Sequence, residues 1–370
     1  MSQMDLFDLL PQDDEMVAKY KPIKSTDWKW TMAEDYPKKK NGLKVFSCFA
    51  CGGGSTMGYK LAGCDVIGCC EIDPKMNNVY VQNHHPKYNF LMDIRKFNET
   101  PNEELPEELF DLDILDGSPP CTTFSMAGER EDSWGKKKKF REGQAEQTLD
   151  DLSFVFIDTV AKLRPKVVIM ENVEGLLLGN AWSYVQEIYR RFESIGYKVI
   201  HKLLKGEEMG VPQTRHRVFF IATRLDFDFE KLDLNFNYES ITYGEIKEGE
   251  GQLPNSESIK YKYLCKSIQT DKRLGDVLLR LGEKEKFFND RICWEHNIVQ
   301  TISSGGSIYR GKEKTFVSCN DIINSQTFPQ DYNFIEKTLS NVKYICGMSV
   351  PPIMIKRIVN RLIESGIFDK

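Results

Sequence analysis

The stretch Asp116-Gly117-Ser118-Pro119-Pro120-Cys121 decides how the chain reads. It follows Phe110-Asp111-Leu112-Asp113-Ile114-Leu115, which reads as a strand edged by acids. A strand running into Gly-Ser-Pro-Pro must stop abruptly. Proline gives no ladder donor, fixes its own φ and holds the residue before it extended. Cys121 is therefore presented at a strand end on a stiff turn. That suits a nucleophile, because its position needs no further ordering when a substrate arrives. The polar, glycine-ended run Thr122 to Gly128 then reads as a loop. The plain alternative is a buried, inert structural cysteine.

The stretches around it argue against that alternative. Upstream, Leu43 to Phe46 reads as a first strand, followed by Phe49-Ala50-Cys51-Gly52-Gly53-Gly54 and a helix from Ser55 to Leu61. Glycines let a backbone approach a ligand closely and helix-end amides supply donors, so this is a nucleotide-cofactor pattern. A second strand, Asp65 to Cys70, ends at Glu71. An acid about twenty residues past such glycines commonly binds ribose hydroxyls. Asp93, in Leu91-Met92-Asp93-Ile94, is a third candidate, able to accept from an adenine amino group. Downstream, Pro165 to Val173 is a hydrophobic strand carrying Glu171-Asn172, and Gln213-Thr214-Arg215-His216-Arg217 leads into the strand Val218 to Ala222. Leu152, Phe156, Val160 and Leu163 give 149–163 helical spacing. Helices are also expected at 182–192 and 353–363, and a strand at 197–203.

Composition sets the frame. The 370 residues are 41% hydrophobic and 28% charged, enough for one large domain and a smaller one. No apolar run reaches membrane-spanning length, and no basic-then-apolar leader opens the chain, so a cytoplasmic protein is expected. The ten cysteines are scattered. Cys48 and Cys51 form a C-x-x-C with no matching second pair, so no metal is expected. The net charge of −5 argues against a nucleic-acid binder taken by itself. Phosphate binding needs a local basic surface rather than a basic total, however. Such surfaces are on offer in Lys136-Lys137-Lys138-Lys139 beside Trp134, and in Lys260, Lys262, Lys266, Lys272 and Arg273.

In this order, a glycine-rich loop, Pro-Pro-Cys, Glu-Asn-Val and Gln-x-Arg-x-Arg resemble the DNA (cytosine-5) methyltransferases, over most of the chain from about Gly42 onward. The resemblance implies an α/β, Rossmann-like S-adenosylmethionine-dependent domain with a smaller, irregular target recognition domain. It divides the chain into an extension (1–42), a catalytic and cofactor-binding domain (43–224), a recognition region (225–318) and a C-terminal return to the large domain (319–370). It implies methyl transfer to carbon 5 of a flipped-out cytosine in double-stranded DNA, by a monomer. Cys121 would be the nucleophile at carbon 6, and Glu171 would hydrogen-bond the ring nitrogen N3 and the exocyclic amine. Arg217, with Arg215, would hold the carbonyl oxygen, and Asn172 would order the Pro-Pro-Cys turn. The cofactor would meet Phe49, Ala50, Gly52, Gly53, Gly54, Glu71, Ile72, Asp93, Ile94, Pro119, Leu152, Met348 and Ser349. DNA would meet Trp134, Lys136 to Lys139, Gln213 and Thr301, the last in Thr301-Ile302-Ser303-Ser304-Gly305-Gly306.

Three departures fall around the cofactor. Ser47 stands where the family usually has Asp, Cys51 replaces the first loop glycine, and Met348 replaces an Asn. They keep open a catalytically weak DNA-binding relative; the same chemistry on transfer RNA, which a related branch of the family performs without a large recognition region, is the other alternative. In the extension, Gln3-Met4-Asp5-Leu6-Phe7 resembles the short peptides with which bacterial replication proteins bind the sliding clamp. Trp28 and Trp30 could dock the extension on the catalytic domain; a loosely ordered arm is the alternative.

Overall fold

A computed structural model describes residues 22–120, 151–178, 181–287 and 289–369. Its centre is a seven-stranded sheet of β1 (Lys44–Cys48), β2 (Asp65–Glu71), β3 (Tyr88–Leu91), β4 (Ile114–Gly117), β5 (Val167–Val173), β6 (Lys198–Lys205) and β8 (His216–Thr223). The two-residue β7 (Gln213–Thr214) lies outside it, paired in parallel with β10 (Val299–Gln300). The sheet order is β3-β2-β1-β4-β5-β8-β6. β8 runs antiparallel to both its neighbours, and the pairings from β3 to β5 are parallel.

The strands are apolar on both faces because both faces are covered. Val45, Ile114, Val167, Ile169, Phe219 and Ile221 join one core cluster. Their alternates Phe46, Leu115, Val168, Met170, Val218 and Phe220 join another. The first face is covered by α1 (Gly54–Leu61) and by α10 (Pro352–Glu364), whose Ile355, Ile358 and Leu362 are fully buried. The second is covered by α4 (Leu152–Leu163) and α5 (Trp182–Ser194) through Phe156, Val160, Leu163, Ile188 and Phe192. The C-terminal helix thus packs on the large sheet beside α1.

Two expectations are corrected. The strand before Pro-Pro-Cys is not 110–115: Glu107–Phe110 is a 3-10 turn, and the strand begins at Ile114 and runs through Asp116 to Gly117. Asp111 and Asp113 are drawn off by Lys44 (2.8 Å) and Lys166 (2.7 Å) at the sheet's lower rim. Asp116 stays in the strand because two hydroxyls receive it. The 225–318 region is also more regular than expected. It contains α6 (Ile259–Cys265), α7 (Leu274–Arg280) and a three-stranded sheet of β9 (Arg291–Cys293), β11 (Ile308–Arg310) and β12 (Thr315–Phe316). These pack round Leu264, Leu274, Ile292, Trp294 and Tyr309. Part of its basic character is neutralised locally, since Lys260 pairs with Asp290 and Arg273 with Asp276.

The described part of the extension is docked. Trp30 is buried, and its indole donates to the Thr327 carbonyl at 2.8 Å. Ile23 forms a bridge with Tyr238. Among the described residues no helix is long and apolar enough to cross a membrane.

Candidate active site

The carboxyl ends of β1, β2, β4 and β5 carry the residues singled out in the sequence. β1 leads into the 49–54 loop, which turns sharply into α1. Phe49 and Cys51 adopt φ of 55° and 47°, and Gly53 adopts 81°. Glu71, at the end of β2, ties this loop down. One oxygen accepts the Cys51 amide (2.7 Å), the other the Asp73 amide (2.8 Å), and the residue is buried. Burial pushes its pKa up, and the two amides oppose that. Asp93 caps α3 (Ile94–Glu99) by accepting from the Arg95 amide, at the turn after β3.

The loop's underside is packed by side chains the sequence had not flagged. Tyr332 donates to the Gly52 carbonyl (2.5 Å), and the His84 ring lies 3.3 Å from the same oxygen. Burial drops the His84 pKa to about 3, so the ring is neutral. A Cβ on Gly53 would sit 2.0 Å from the His84 ring, and one on Gly54 would sit 2.2 Å from the Val350 carbonyl. The glycines are therefore demanded by close packing on His84 and on the Ser349-Val350 turn. Ser349 is buried there, its hydroxyl donating to the Ile345 carbonyl, and Met348 is half-buried at the end of α9 (Leu339–Met348). Ala50, Ile94, Pro119 and Leu152 are buried and Ile72 is half-buried; Leu152 opens α4. The donor set suits an adenosine cofactor: carboxylates after β2 and β3, amides at the start of α1, and the half-buried Phe49 ring.

Two strands across, Glu171 closes β5. In the antiparallel register Arg217 of β8 faces Val173, two residues beyond Glu171 on the same face. Its Nε meets the Glu171 carboxylate at 2.7 Å, and both side chains are only slightly exposed. Asn172 accepts from the Val173 amide, and its own amide nitrogen is buried without a partner among the described residues. The last described turn before Cys121 is Ser118-Pro119-Pro120, at the end of the adjacent strand.

Two readings change here. Gln213 is not a surface reader of DNA. It is fully buried, donating to Ser325 O and Gln326 Oε1 and accepting from the Ile302 amide. Arg215 does not present its fork to a base. Its two terminal nitrogens donate to the carbonyls of Ile302 (3.0 Å) and Gly347 (3.2 Å), and it is buried. Burial, and next the Arg217 charge, lower its pKa. Thr301 is half-buried, and its hydroxyl donates to the Thr214 carbonyl at 2.6 Å. Together these lash the 301–306 loop to the strand carrying Arg217. Cys121, Trp134, Lys136 to Lys139 and Gln3 to Phe7 lie outside the described residues.

A sheet whose order reverses between β1 and β4 binds its ligand in the crevice above that switch point. With acids beyond β2 and β3 and an acid–guanidinium pair beside it, this is a Rossmann-like group transferase with a nucleoside cofactor. The chain belongs to the C-5 cytosine-specific DNA methylase family, whose model matches residues 43–364. It is a DNA (cytosine-5-)-methyltransferase that uses S-adenosylmethionine. Among curated proteins it is 26% identical over 352 residues to the Type II methyltransferase M.FnuDI of Fusobacterium nucleatum, covering 89% of this chain and 96% of that one. It is 25% identical over 346 residues to M.NgoPII of Neisseria gonorrhoeae, covering 86% and 95%. Among solved structures, a putative DNA modification methyltransferase encoded within an Escherichia coli prophage superposes with a TM-score of 0.61 at 17% identity, covering 89% of this chain and all of that one. A mutant DNMT2 from Spodoptera frugiperda gives 0.60 at 16% identity, covering 87% and 100%. Both share the fold.

Proposed function

We propose that Cys121, Glu171 and Arg217 carry the methylation of a flipped-out cytosine, with Arg215 as a positioning residue. The observation that carries this reading is the Glu171–Arg217 pair at the end of β5, beside the β4 turn that leads into Pro-Pro-Cys. The Cys121 thiolate adds to carbon 6 of the base, and the displaced electron pair runs to N3, where Glu171 supplies a proton. Arg217 holds the ring's carbonyl oxygen and keeps the Glu171 carboxyl oriented. Bound S-adenosylmethionine supplies the electrophilic methyl group that carbon 5 attacks. The N3 proton then returns to Glu171, a water-borne base takes the carbon 5 proton, and the electron pair it leaves expels the thiolate from carbon 6. Glu71 and Asp93 hold the ribose and adenine, and the amides at the start of α1 face the rest of the cofactor.

Residues 225–318 read the DNA site, fastened to the catalytic strands through Gln213, Arg215 and Thr301. Lys136 to Lys139 and Trp134 close on the DNA backbone. The protein acts as a monomer in the cytoplasm, and Gln3 to Phe7 offers a sliding clamp two apolar anchors, Leu6 and Phe7.

A 5-fluorocytosine in the correct DNA site tests the roles. Fluorine cannot leave as a cation, so the protein should be trapped after methyl transfer, covalently and only with S-adenosylmethionine present. Cys121→Ser should form no adduct yet still bind DNA, and Glu171→Gln should trap 10²- to 10⁴-fold more slowly. An adduct with Cys121→Ser would overturn the assignment.

A further inference from the structure

β1 and β4 are the strands on either side of the switch point, and their register sets Ser47 directly against Asp116. Asp116 is 2% exposed. Ser47 donates to one carboxyl oxygen at 2.7 Å and Tyr59 to the other at 3.1 Å. Ser55 adds a further hydrogen bond. Ser47 stands two residues before Phe49, and Ser55 directly follows Gly54, so both ends of the cofactor loop hold this one carboxyl. The same side chain lies on the strand that leads to Cys121. A ligand of this fold sits beyond the carboxyl ends of the strands at the switch point, and Asp116 lies one residue from the end of one of them.

The titratable and polar groups around it are hydroxyls, one thiol and one more acid: Ser47 and Cys48 from β1, Ser55 and Tyr59 from α1, Tyr80 from α2 (Pro74–His84) and Glu171 from β5. Among the described residues no lysine, arginine or histidine is within ion-pairing distance of it. A buried carboxylate without a cation is costly, so its protonated form is favoured over a wider pH range than in water. Burial raises the Asp116 pKa to about 7, the three hydroxyl donors pull it down, and Glu171 adds to the rise.

We propose that Asp116 is the charge sensor of the cofactor crevice: it releases its proton to solvent as cationic S-adenosylmethionine binds, and regains one when the sulfur becomes neutral in S-adenosylhomocysteine. The inference rests on the cofactor assignment above and adds a specificity role to a residue that touches neither the base nor the thiolate. The ionised carboxylate favours the sulfonium, so substrate affinity is highest above the pKa and falls as pH drops through it. Product affinity lacks this dependence. For a one-unit drop in pKa on binding, S-adenosylmethionine affinity should weaken about fivefold from pH 8 to pH 6, relative to the product. The amino acid portions of the two ligands are the same, so their own titration cancels in the ratio.

Titration calorimetry of the full chain, in two buffers of different ionisation heat near pH 6.5, counts the protons released. The expected result is about half a proton more for S-adenosylmethionine than for S-adenosylhomocysteine. Asp116→Asn should erase that difference while still binding both ligands. Should that variant not fold, Ser47→Ala and Tyr59→Phe each remove a donor to the carboxylate, and should shift the pH midpoint of the affinity ratio upward. Equal proton counts for the two ligands in the intact protein overturn the inference. So does a difference that survives Asp116→Asn, or a midpoint that neither donor variant moves. Absence of any binding heat would instead defeat the cofactor assignment on which it stands.

Discussion

The cofactor side and the base side of the crevice are built by different means. On the cofactor side the main chain is the architecture: Glu71 grips two amides, Tyr332 and His84 sit against the Gly52 carbonyl, and the glycines leave no room for a Cβ. On the base side, side chains reach across elements: Arg217 to Glu171, Gln213 to Gln326, Arg215 to Ile302 and Gly347. A site held through its backbone tolerates changes of side chain, which is how Ser47, Cys51 and Met348 coexist with an intact loop. A site held by guanidinium forks does not, because each fork fixes its partners' geometry.

The largest test of that contrast is Gly53→Ala. The added Cβ would need a left-handed φ and would lie within 2.0 Å of His84, whose ring is wedged against Tyr80 with centroids 4.7 Å apart. Strain and overpacking together should cost about 3 kcal/mol and weaken cofactor binding. Urea unfolding and calorimetry would measure both. An alanine here that left stability and affinity unchanged would mean that main-chain packing is not what holds the loop.

On the other side, Arg217→Met should slow 5-fluorocytosine trapping by roughly 30-fold, about 2 kcal/mol for a charge-assisted hydrogen bond, and leave S-adenosylmethionine affinity alone. Arg215→Met should differ. Its two carbonyl partners lie on the 301–306 loop and immediately before Met348, so it touches both sides. Leaving them unpaired should lower stability by about 2 kcal/mol and reduce trapping and cofactor affinity together. If Arg215→Met affected trapping alone, the seam between the sides would lie elsewhere.

The same contrast explains what was legible in the sequence. β1, β2, β5 and β8 read as apolar runs because both sheet faces are buried, and the loop read as glycines because its constraint is local. The partners of Gln213 and Arg215 lie 112, 113, 87 and 132 positions away, beyond any periodicity, so resemblance alone assigned Gln213 to the DNA and Arg215 to the base. β9, β11 and β12 are two or three residues long, too short for alternation to register. Asp116 was on view within Ile114-Leu115-Asp116-Gly117, an acid inside an apolar strand. Its meaning depended on Ser47 being its register partner, and pairing across strands is not written in either strand.

The smallest effect belongs to Cys51. Its φ of 47° is one that residues bearing a Cβ adopt at a cost of about 1–2 kcal/mol, and the resemblance had a glycine at this position. Cys51 takes the left-handed conformation, and its amide is fixed by Glu71 at 2.7 Å. Cys51→Gly would remove the strain but give the unfolded chain more freedom, which returns about 0.5–1 kcal/mol. The net expectation is a gain of about 0.5 kcal/mol in unfolding free energy, with S-adenosylmethionine affinity held or slightly raised. Paired urea titrations of the two proteins resolve a change of this size through the midpoint at constant slope. A loss of stability beyond about 1 kcal/mol would show that the Cys51 side chain itself supports the loop, and that this corner of the cofactor side is built like the base side after all.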